Sequence, residues 1–281
     1  MSITKAMRKP GAMETTVRTW TELQDVLFED SYDPTIQRYR SNFAFRGMVN
    51  RGWALETSLM RLGGPYAVLE RALLRNFKKY AHQEQALGNS EWNWLSLAQH
   101  HGLPTRLMDW TYSPYVALHF ATDDMRRMDD DGIIWCVDLS VARTHLPPLF
   151  AEVRERNHAY AFSVDMMNEV AESLESLQAL RKDDFVVFFE PPSLDNRIVN
   201  QYALFSVMSR SEANLEDWLE QRRGDRIYRK IIIPASLKWE VRDKLDQANI
   251  SERVLFGGLD GLCRWLRRHY SPGPGGETSL K

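Results

Sequence analysis

The sequence has few cysteines, little net charge and no long apolar run. Its two cysteines, Cys136 and Cys263, are too few for a disulfide framework or a cysteine-based zinc site. The 36 basic and 38 acidic side chains give a formal net charge of −2, without the basic excess typical of a general nucleic-acid binder. Residues 1–16 lack the apolar core of a signal peptide, and no segment reaches membrane-spanning length. We therefore expect a cytoplasmic protein that does not use a membrane.

Familiar catalytic signatures are also missing. Ser113 precedes Pro114 and lies outside any G-x-S-x-G elbow, which argues against a Ser/His/Asp hydrolase. No H-E-x-x-H pattern occurs, and the adjacent His100 and His101 would point in different directions from a helix. We predict no metal site.

The composition is that of a globular domain. Hydrophobic side chains make up 43% of the chain and charged ones 26%, which suits a sizeable core. No Pro/Gly-rich linker and no repeat divide the middle, so we expect a single domain over residues 17–270. Residues 1–16 are interpreted as a flexible N-terminus, and the Pro/Gly/Ser-rich residues 271–281 as a disordered tail.

Apolar periodicity predicts an alternation of strands and helices. Strands are predicted near residues 42–47, 133–139, 185–189, 202–208 and 227–233. Helices are predicted near residues 23–27, after Pro65, at 92–101, after Ser113, and at 162–181, 237–248 and 259–268. Helices of uneven length between strands favour an α+β domain with a small central sheet, or sheets, flanked by helices. Cys136 falls in a predicted strand, where a buried thiol is expected.

The tripeptide Phe45-Arg46-Gly47 ends the first of these strands. An arginine there can present its fixed donors to a carboxylate or phosphate. The glycine would let a ligand approach the backbone closely. The alternative is a surface arginine before a turn glycine.

The segment from Gln99 to Ser113 concentrates polar and aromatic residues between two predicted helices. Such junctions often carry function because rigid elements hold them. Ser113 would cap the second helix, whose N-terminus favours anions. The other candidate ligand-binding residues here are Gln99, His100, Thr105, Arg106, Asp109 and Trp110. The alternative is a structural knot in which Arg106 pairs with Asp109, Ser113 merely caps, and one histidine is buried.

A third candidate pair is Arg197 with Gln201. Their spacing of four puts them on one face of a helical turn, although Gln201 could instead open the strand that follows. Glutamine offers a donor and an acceptor to a ribose or an amide, but it cannot act as a base. The alternative is a surface hydrogen bond between two rim residues.

Taken together, these stretches resemble the FRG domain family. The resemblance runs over residues 40–207 and is carried by a set of short segments. These are Phe43-Ala44-Phe45-Arg46-Gly47, Leu59-Met60-Arg61, the helix with Glu70 and Phe77, residues 92–110, Ser113-Pro114, Ala117-Leu118, Phe120-Ala121, and Arg197 with Gln201 and Phe205. The long match through residues 99–110 is the specific one, and His101 departs from it where the family often has tyrosine. The resemblance implies a bacterial or phage-associated protein and names no reaction.

The order of these segments is also similar, more distantly, to the ADP-ribosyltransferase fold. That similarity implies NAD as substrate, with Arg46 at the NAD phosphate or ribose, Ser113 in the nicotinamide pocket, and Gln201 in the late acidic position. Because a neutral amide cannot stabilise a developing cation, Asp109 or Glu190 would have to substitute. The leading hypothesis is ADP-ribosyl transfer or NAD cleavage in a toxin or phage-defence role, with a protein or nucleic-acid acceptor. The alternative is a non-catalytic module that binds a nucleotide, a nucleic-acid end or a protein.

Overall fold

The computed structural model describes residues 13–81, 88–273 and 276. Ten strands lie within these ranges. They are β1 (Glu14–Thr16), β2 (Tyr32–Asp33), β3 (Arg38–Tyr39), β4 (Phe43–Met48), β5 (Leu107–Thr111), β6 (Gly132–Asp138), β7 (Phe162–Ser163), β8 (Val186–Glu190), β9 (Ala203–Met208) and β10 (Tyr228–Ile233). Eight of them form one mixed sheet in the order β1-β10-β6-β4-β5-β9-β8-β7, and β2 pairs with β3 separately.

Thirteen α-helices lie within the same ranges. They are α1 (Trp20–Leu27), α2 (Tyr66–Ala81), α3 (Glu91–His100), α4 (Pro114–Phe120), α5 (Leu139–Thr144), α6 (Pro148–Arg156), α7 (Val164–Val170), α8 (Leu174–Ala179), α9 (Asn196–Asn200), α10 (Leu215–Glu220), α11 (Ala235–Gln247), α12 (Glu252–Leu255) and α13 (Gly258–His269). None of these helices is long and apolar enough to cross a membrane.

Alternating side chains of β4 enter two different cores on opposite faces of the sheet, as the two-residue period of a strand requires. Phe45 packs with Ile134, Leu118 and Val241 beneath α4 and α11. Ala44 belongs to the core on the other face, with Trp135 and helices α5 and α10. A third core covers the β5–β9–β8 half of the sheet with α3, α7 and α8. Helices therefore cover both faces of the sheet.

The predicted mixed α and β architecture is confirmed, with a sheet larger than expected. The predicted strands are all present, and Cys136 is a buried thiol in β6 whose pKa is raised to about 11 by burial. The prediction of one long helix over residues 162–181 was wrong, because this segment forms β7, α7 and α8. Ser163 and Ser173 each cap a new helix and so divide it.

The flexible N-terminus and the disordered tail that the sequence predicts lie partly outside the described residues. Within the lead-in expected to be flexible, residues 1–12 are not described, whereas Glu14–Thr16 form β1 and pair with β10 in parallel. Of the predicted tail, residues 274, 275 and 277–281 lie outside the described ranges.

Strands β4 and β5 separate almost as soon as they meet. Their ladder contains one pair, Phe45 with Thr111, while β4 pairs with β6 at six positions and β5 with β9 at five. The sheet is therefore split between these two central strands, beyond Phe45 on one side and before Thr111 on the other. Unpaired backbone groups at such a split need other partners.

Helix α4 lies directly against β4 at Gly47. A Cβ atom built on Gly47 would lie 1.8 Å from the carbonyl oxygen of Ala117 and 2.8 Å from the amide nitrogen of Ala121. Only glycine permits this approach of helix to strand. The conformation of Gly47 is not unusual, so the requirement comes from space alone.

Candidate functional site

A cleft opens where β4 and β5 separate, and it has two adjoining lobes. The first, here called the ring lobe, has a volume of about 830 Å³ and is lined by apolar and aromatic side chains, among them Phe45, Met48, Trp53 and Phe120. The second, the polar lobe, has about 490 Å³. Its polar lining includes Thr57, Ser58, Gln99, His100 and His101. The residues shared by both lobes are Arg46, Glu56, Arg61, Asp109 and Arg197.

Arg46 reaches across the split in the sheet. Its Nη1 atom donates to the main-chain oxygen of Asp109 at 2.5 Å, which supplies a partner that the β4–β5 ladder does not. Its Nε atom is buried and has no hydrogen-bond partner among the described residues. Burial lowers the pKa of Arg46, Asp109 opposes this shift, and Arg61 adds to it. The guanidinium is thus fixed at the junction of the two lobes with donor capacity left over.

Arg61 and Arg197 line the same junction. Arg61 lies within the 3-10 helix Met60–Leu62, and its side chain is exposed. Within the described ranges, neither guanidinium forms a hydrogen bond or an ion pair with the protein. Three arginines therefore meet around one space, and none of them is in an ion pair with a carboxylate of the described residues. Since arginine is the preferred partner of carboxylates and phosphates, this junction suits an anionic ligand.

Helix α12 holds Arg197 and Gln201 in place. The side chain of Asn200 donates to the carbonyl of Val254 at 2.8 Å, and Gln201 Nε2 donates to that of Leu255 at 3.1 Å. The guanidinium of Arg197 lies over the ring of Phe256, 5.3 Å from its centroid. The cleft therefore depends on a segment more than fifty residues farther along the chain.

A buried charge network anchors α12 in turn. Glu252 accepts hydrogen bonds from Arg242 at 2.8 Å and from Arg268 at 2.7 and 2.8 Å. Burial alone would raise the pKa of Glu252, but its bonds with Arg268 and the charge of Arg242 hold it near 2. Arg242 also contacts Nδ1 of His119 on α4 at 3.0 Å. Burial, reinforced by Arg242, lowers the pKa of His119 to about 3, so this ring is neutral at pH 7.

Acidic groups face the cleft as well. The carboxylate of Asp109 accepts from Gln99 Nε2 at 2.7 Å, whereas Glu56 is exposed and has no hydrogen bond or ion pair to its side chain within the described ranges. Asp123 is half-buried in the ring lobe. Burial raises its pKa to about 6, and Asp124 and Glu252 contribute while Arg242 opposes. A carboxyl group of this kind can accept a hydrogen bond from a sugar hydroxyl or exchange a proton near neutral pH.

The polar lobe is organised by short side-chain bonds. Thr105 donates to Gln99 Oε1 at 2.5 Å and so orients the amide that bonds Asp109. His100 Nε2 lies 2.8 Å from Asp195 Oδ2. Burial lowers the pKa of His100 although Asp195 acts in the opposite direction. This lobe offers hydrogen-bonding groups, with His101 at its rim.

The structure brings most of the predicted site residues together. Those that line the cleft are Phe45, Arg46, Gly47, Gln99, His100, Asp109, Trp110, Arg197 and Gln201. Arg197 lies on α9 and Gln201 is the C-terminal cap of that helix, so the helical interpretation is correct. Thr105 does not line the cleft, but it donates a hydrogen bond to Gln99 and so orients a side chain that does.

Ser113 and Arg106 do not line the cleft. Ser113 caps α4 by accepting from the amide of Val116 at 3.3 Å. Arg106 is buried, and its partner is Glu70 rather than Asp109, with Nε donating to Oε1 at 2.7 Å. Glu190 is also elsewhere, at the hydroxyl of Tyr112.

Sequence reasoning missed the contributions of Trp53, Glu56, Arg61, Phe120 and Asp123 to the cleft. Arg61 and Phe120 stood within the segments that carry the family resemblance, but their role was not evident from local pattern. Trp53 and Glu56 lie in a loop without periodicity. Among the described residues, no group of three or more His, Cys, Asp or Glu side chains could hold a metal ion.

A family model matches part of the chain. Residues 41–130 match the family model of the FRG domain. No curated protein matches the chain, and no solved structure does. The matched range contains Arg46, Arg61, Gln99, Asp109 and Asp123, and therefore most of the cleft. Arg197, Gln201 and Phe256 lie beyond it. Residues 41–130 of this chain are therefore similar to the FRG domain.

Proposed function

We propose that the cleft binds a nucleotide of the NAD type, with its phosphates at Arg46, Arg61 and Arg197. The observation that carries this proposal is the convergence of three arginines on one junction, none of them in an ion pair within the described ranges. A diphosphate at the junction would have room for one nucleoside half in each lobe. The ring lobe suits a flat base, since Trp53 is 46% exposed and Phe120 faces the same space.

The same geometry supports cleavage of NAD or transfer of its ADP-ribose. Such reactions develop positive charge on the ribose, which a nearby carboxylate stabilises. Gln201 cannot supply that charge, and its Nε2 atom is already bonded to Leu255. Glu56, Asp109, Asp123 and Asp124 are the carboxylates among the described residues that line the cleft, and Asp124 is already paired with Arg126. A toxin or phage-defence role would follow from an activity that consumes the cell's NAD.

The second candidate is a binding module without turnover. Two observations favour it: an amide stands at position 201, and the carboxylate of Asp109 is engaged by Gln99. Such a module would use the same arginines to hold a nucleotide or a phosphorylated nucleic-acid end.

The first experiment is incubation of the purified chain with NAD, with nicotinamide release read by chromatography and binding read by calorimetry. Arg61→Ala is the sharpest variant, because its side chain makes no protein hydrogen bond or ion pair within the described ranges and its loss should leave the fold intact. Loss of a charge-assisted contact to phosphate should weaken binding about 10- to 100-fold. Arg46→Ala should do the same.

Arg75→Ala is the matched control. Arg75 is exposed on α2, does not line the cleft, and its removal changes the net charge by the same amount. Release of nicotinamide that depends on Arg61 and Arg46, but not Arg75, would support the enzyme. Binding without release would support the module. Absence of both binding and release in the unmutated chain would refute the NAD proposal.

A further inference from the structure

Helix α13 carries an apolar stripe that no described part of the chain covers. Leu259, Cys263, Leu266 and the C-cap residue Tyr270 follow one another at spacings of four, three and four, which places them on one side of the helix. Leu259 is 77% exposed and Tyr270 53% exposed, and Cys263 is exposed between them. The opposite face is buried through Gly261 and Arg268 against α12 and the Glu252 network. A stripe of this kind at the surface of a helix marks a docking face.

Two opposite charges flank this stripe on one side. Asp260 and Arg267 are seven residues, or two turns, apart and share a flank of the helix. Both are exposed, and within the described residues neither side chain has a hydrogen bond or an ion pair. Their midpoint falls next to Cys263, in the middle of the stripe.

We propose that α13 pairs with α13 of a second copy of this chain, antiparallel and about a two-fold axis beside Cys263. In that arrangement Asp260 of each copy meets Arg267 of the other, so one interface contains two identical ion pairs. The apolar stripes then face each other across the axis, and the two Cys263 thiols lie side by side. Self-complementarity of one patch is what a two-fold interface requires.

The charge pattern favours a second copy over a lipid surface. A helix that lies on an anionic membrane has cationic side chains on its polar flanks. Here the flank pairs Asp260 with Arg267, the guanidinium of Arg264 lies over the ring of Phe256, and that of Arg268 is bonded to Glu252 and Asp246. A single helix pair buries little area, so we expect a weak dimer that forms at high protein concentration.

The test is a pair of single charge reversals, Asp260→Arg and Arg267→Asp, measured on the full chain by sedimentation velocity over a wide concentration range. The unmutated chain should double its mass as concentration rises. Each single variant turns two attractions into two repulsions and should weaken dimerisation about tenfold. An equimolar mixture of the two variants should recover the dimer, because every contact across a mixed interface is again attractive. Recovery on mixing is specific to this register.

A cross-link gives an independent readout. With copper–phenanthroline as oxidant, Cys263 of the dimer should form an intermolecular disulfide that Cys263→Ser abolishes. Cys136 is buried and serves as the internal negative control. A monomer at all concentrations, a dimer indifferent to both charge reversals, or binding of the unmutated chain to anionic vesicles without self-association would each overturn the proposal. None of these outcomes depends on NAD.

Discussion

The guanidinium of Arg197 lies over the ring of Phe256, with 5.3 Å from Cζ to the ring centroid. Arg264 of α13 lies over the same ring at 4.7 Å. The interaction joins α9, which lines the cleft, to the turn between α12 and α13. A cation held over an aromatic face gains about 0.5–2 kcal/mol, enough to set the position of an otherwise unpaired arginine.

Phe256→Leu should therefore weaken NAD binding without unfolding the chain. Leucine keeps the apolar bulk but removes the aromatic face, so Arg197 loses its support. We expect a two- to tenfold rise in the dissociation constant by calorimetry, a range of about 0.4–1.4 kcal/mol. Phe28→Leu, at a ring that is 39% exposed and does not line the cleft, is the control. Equal affinity in both variants would show that Phe256 does not position Arg197 for the ligand.

Gly47→Ala should destabilise the fold. The added Cβ would collide with the backbone of Ala117, which cannot rotate away as a side chain can. We expect a loss of about 3 kcal/mol or more in the free energy of unfolding, or failure to fold. Gly224→Ala is matched to it, since a Cβ there meets nothing within 4 Å. Chemical denaturation of both variants makes the comparison, and equal stability would contradict the close packing of α4 on β4.

Arg106→Ala should lower stability rather than ligand affinity. The sequence had suggested Arg106 as a ligand-binding residue, but its buried partner is Glu70. Removing one member of a buried ion pair costs about 3–5 kcal/mol, because the other charge is left uncompensated. Glu70→Ala should cost a similar amount, and a double replacement of both by Met should cost less than the sum of the two single changes. Denaturation curves give the stabilities. A folded Arg106→Ala chain with its stability intact and its NAD affinity lost would restore the original assignment.

Asp123→Asn should stabilise the chain at pH 8 and have little effect near pH 4. The folded pKa of Asp123, about 6, lies above its ordinary value near 4, so between these values the folded state binds more protons than the unfolded state. The contribution of Asp123 to the free energy of unfolding therefore falls as the pH rises through that window. Asparagine does not ionise, so the variant does not lose this contribution. We expect melting temperature to rise by a few degrees at pH 8.

The same variant tests the role of Asp123 in the cleft. If its carboxylate supports the reaction, nicotinamide release by Asp123→Asn should fall above about pH 6, where the wild-type group is ionised, even though the chain is more stable there. Higher stability with full activity would make Asp123 a buried acid with no part in the reaction. A gain in stability that is the same at pH 4 and pH 8 would show that the pKa of Asp123 is not raised.

Local sequence patterns predicted most elements of the fold and several of the residues that line the cleft. Short-range patterns predicted strands β4, β6, β8, β9 and β10 because alternation and apolar runs are local properties. The segment 99–110 and the spacing of Arg197 and Gln201 pointed to residues that the structure assembles around one cleft. Ser163 and Ser173 are helix caps, but the apolar spacing through residues 162–181 is helical throughout and led to the prediction of one unbroken helix.

The partners of these residues could not be read from local patterns, because they depend on the tertiary fold. Glu70 lies 36 residues from Arg106, and the bond between Gln201 and Leu255 spans 54, so no local pattern relates them. The role of Gly47 likewise comes from α4, which returns to β4 after some seventy residues. Trp53, Arg61, Asp123 and Phe256 join the site for the same reason. Pairing across such distances is fixed by the joint packing of the sheet and its helices, a property of the whole chain rather than of any segment.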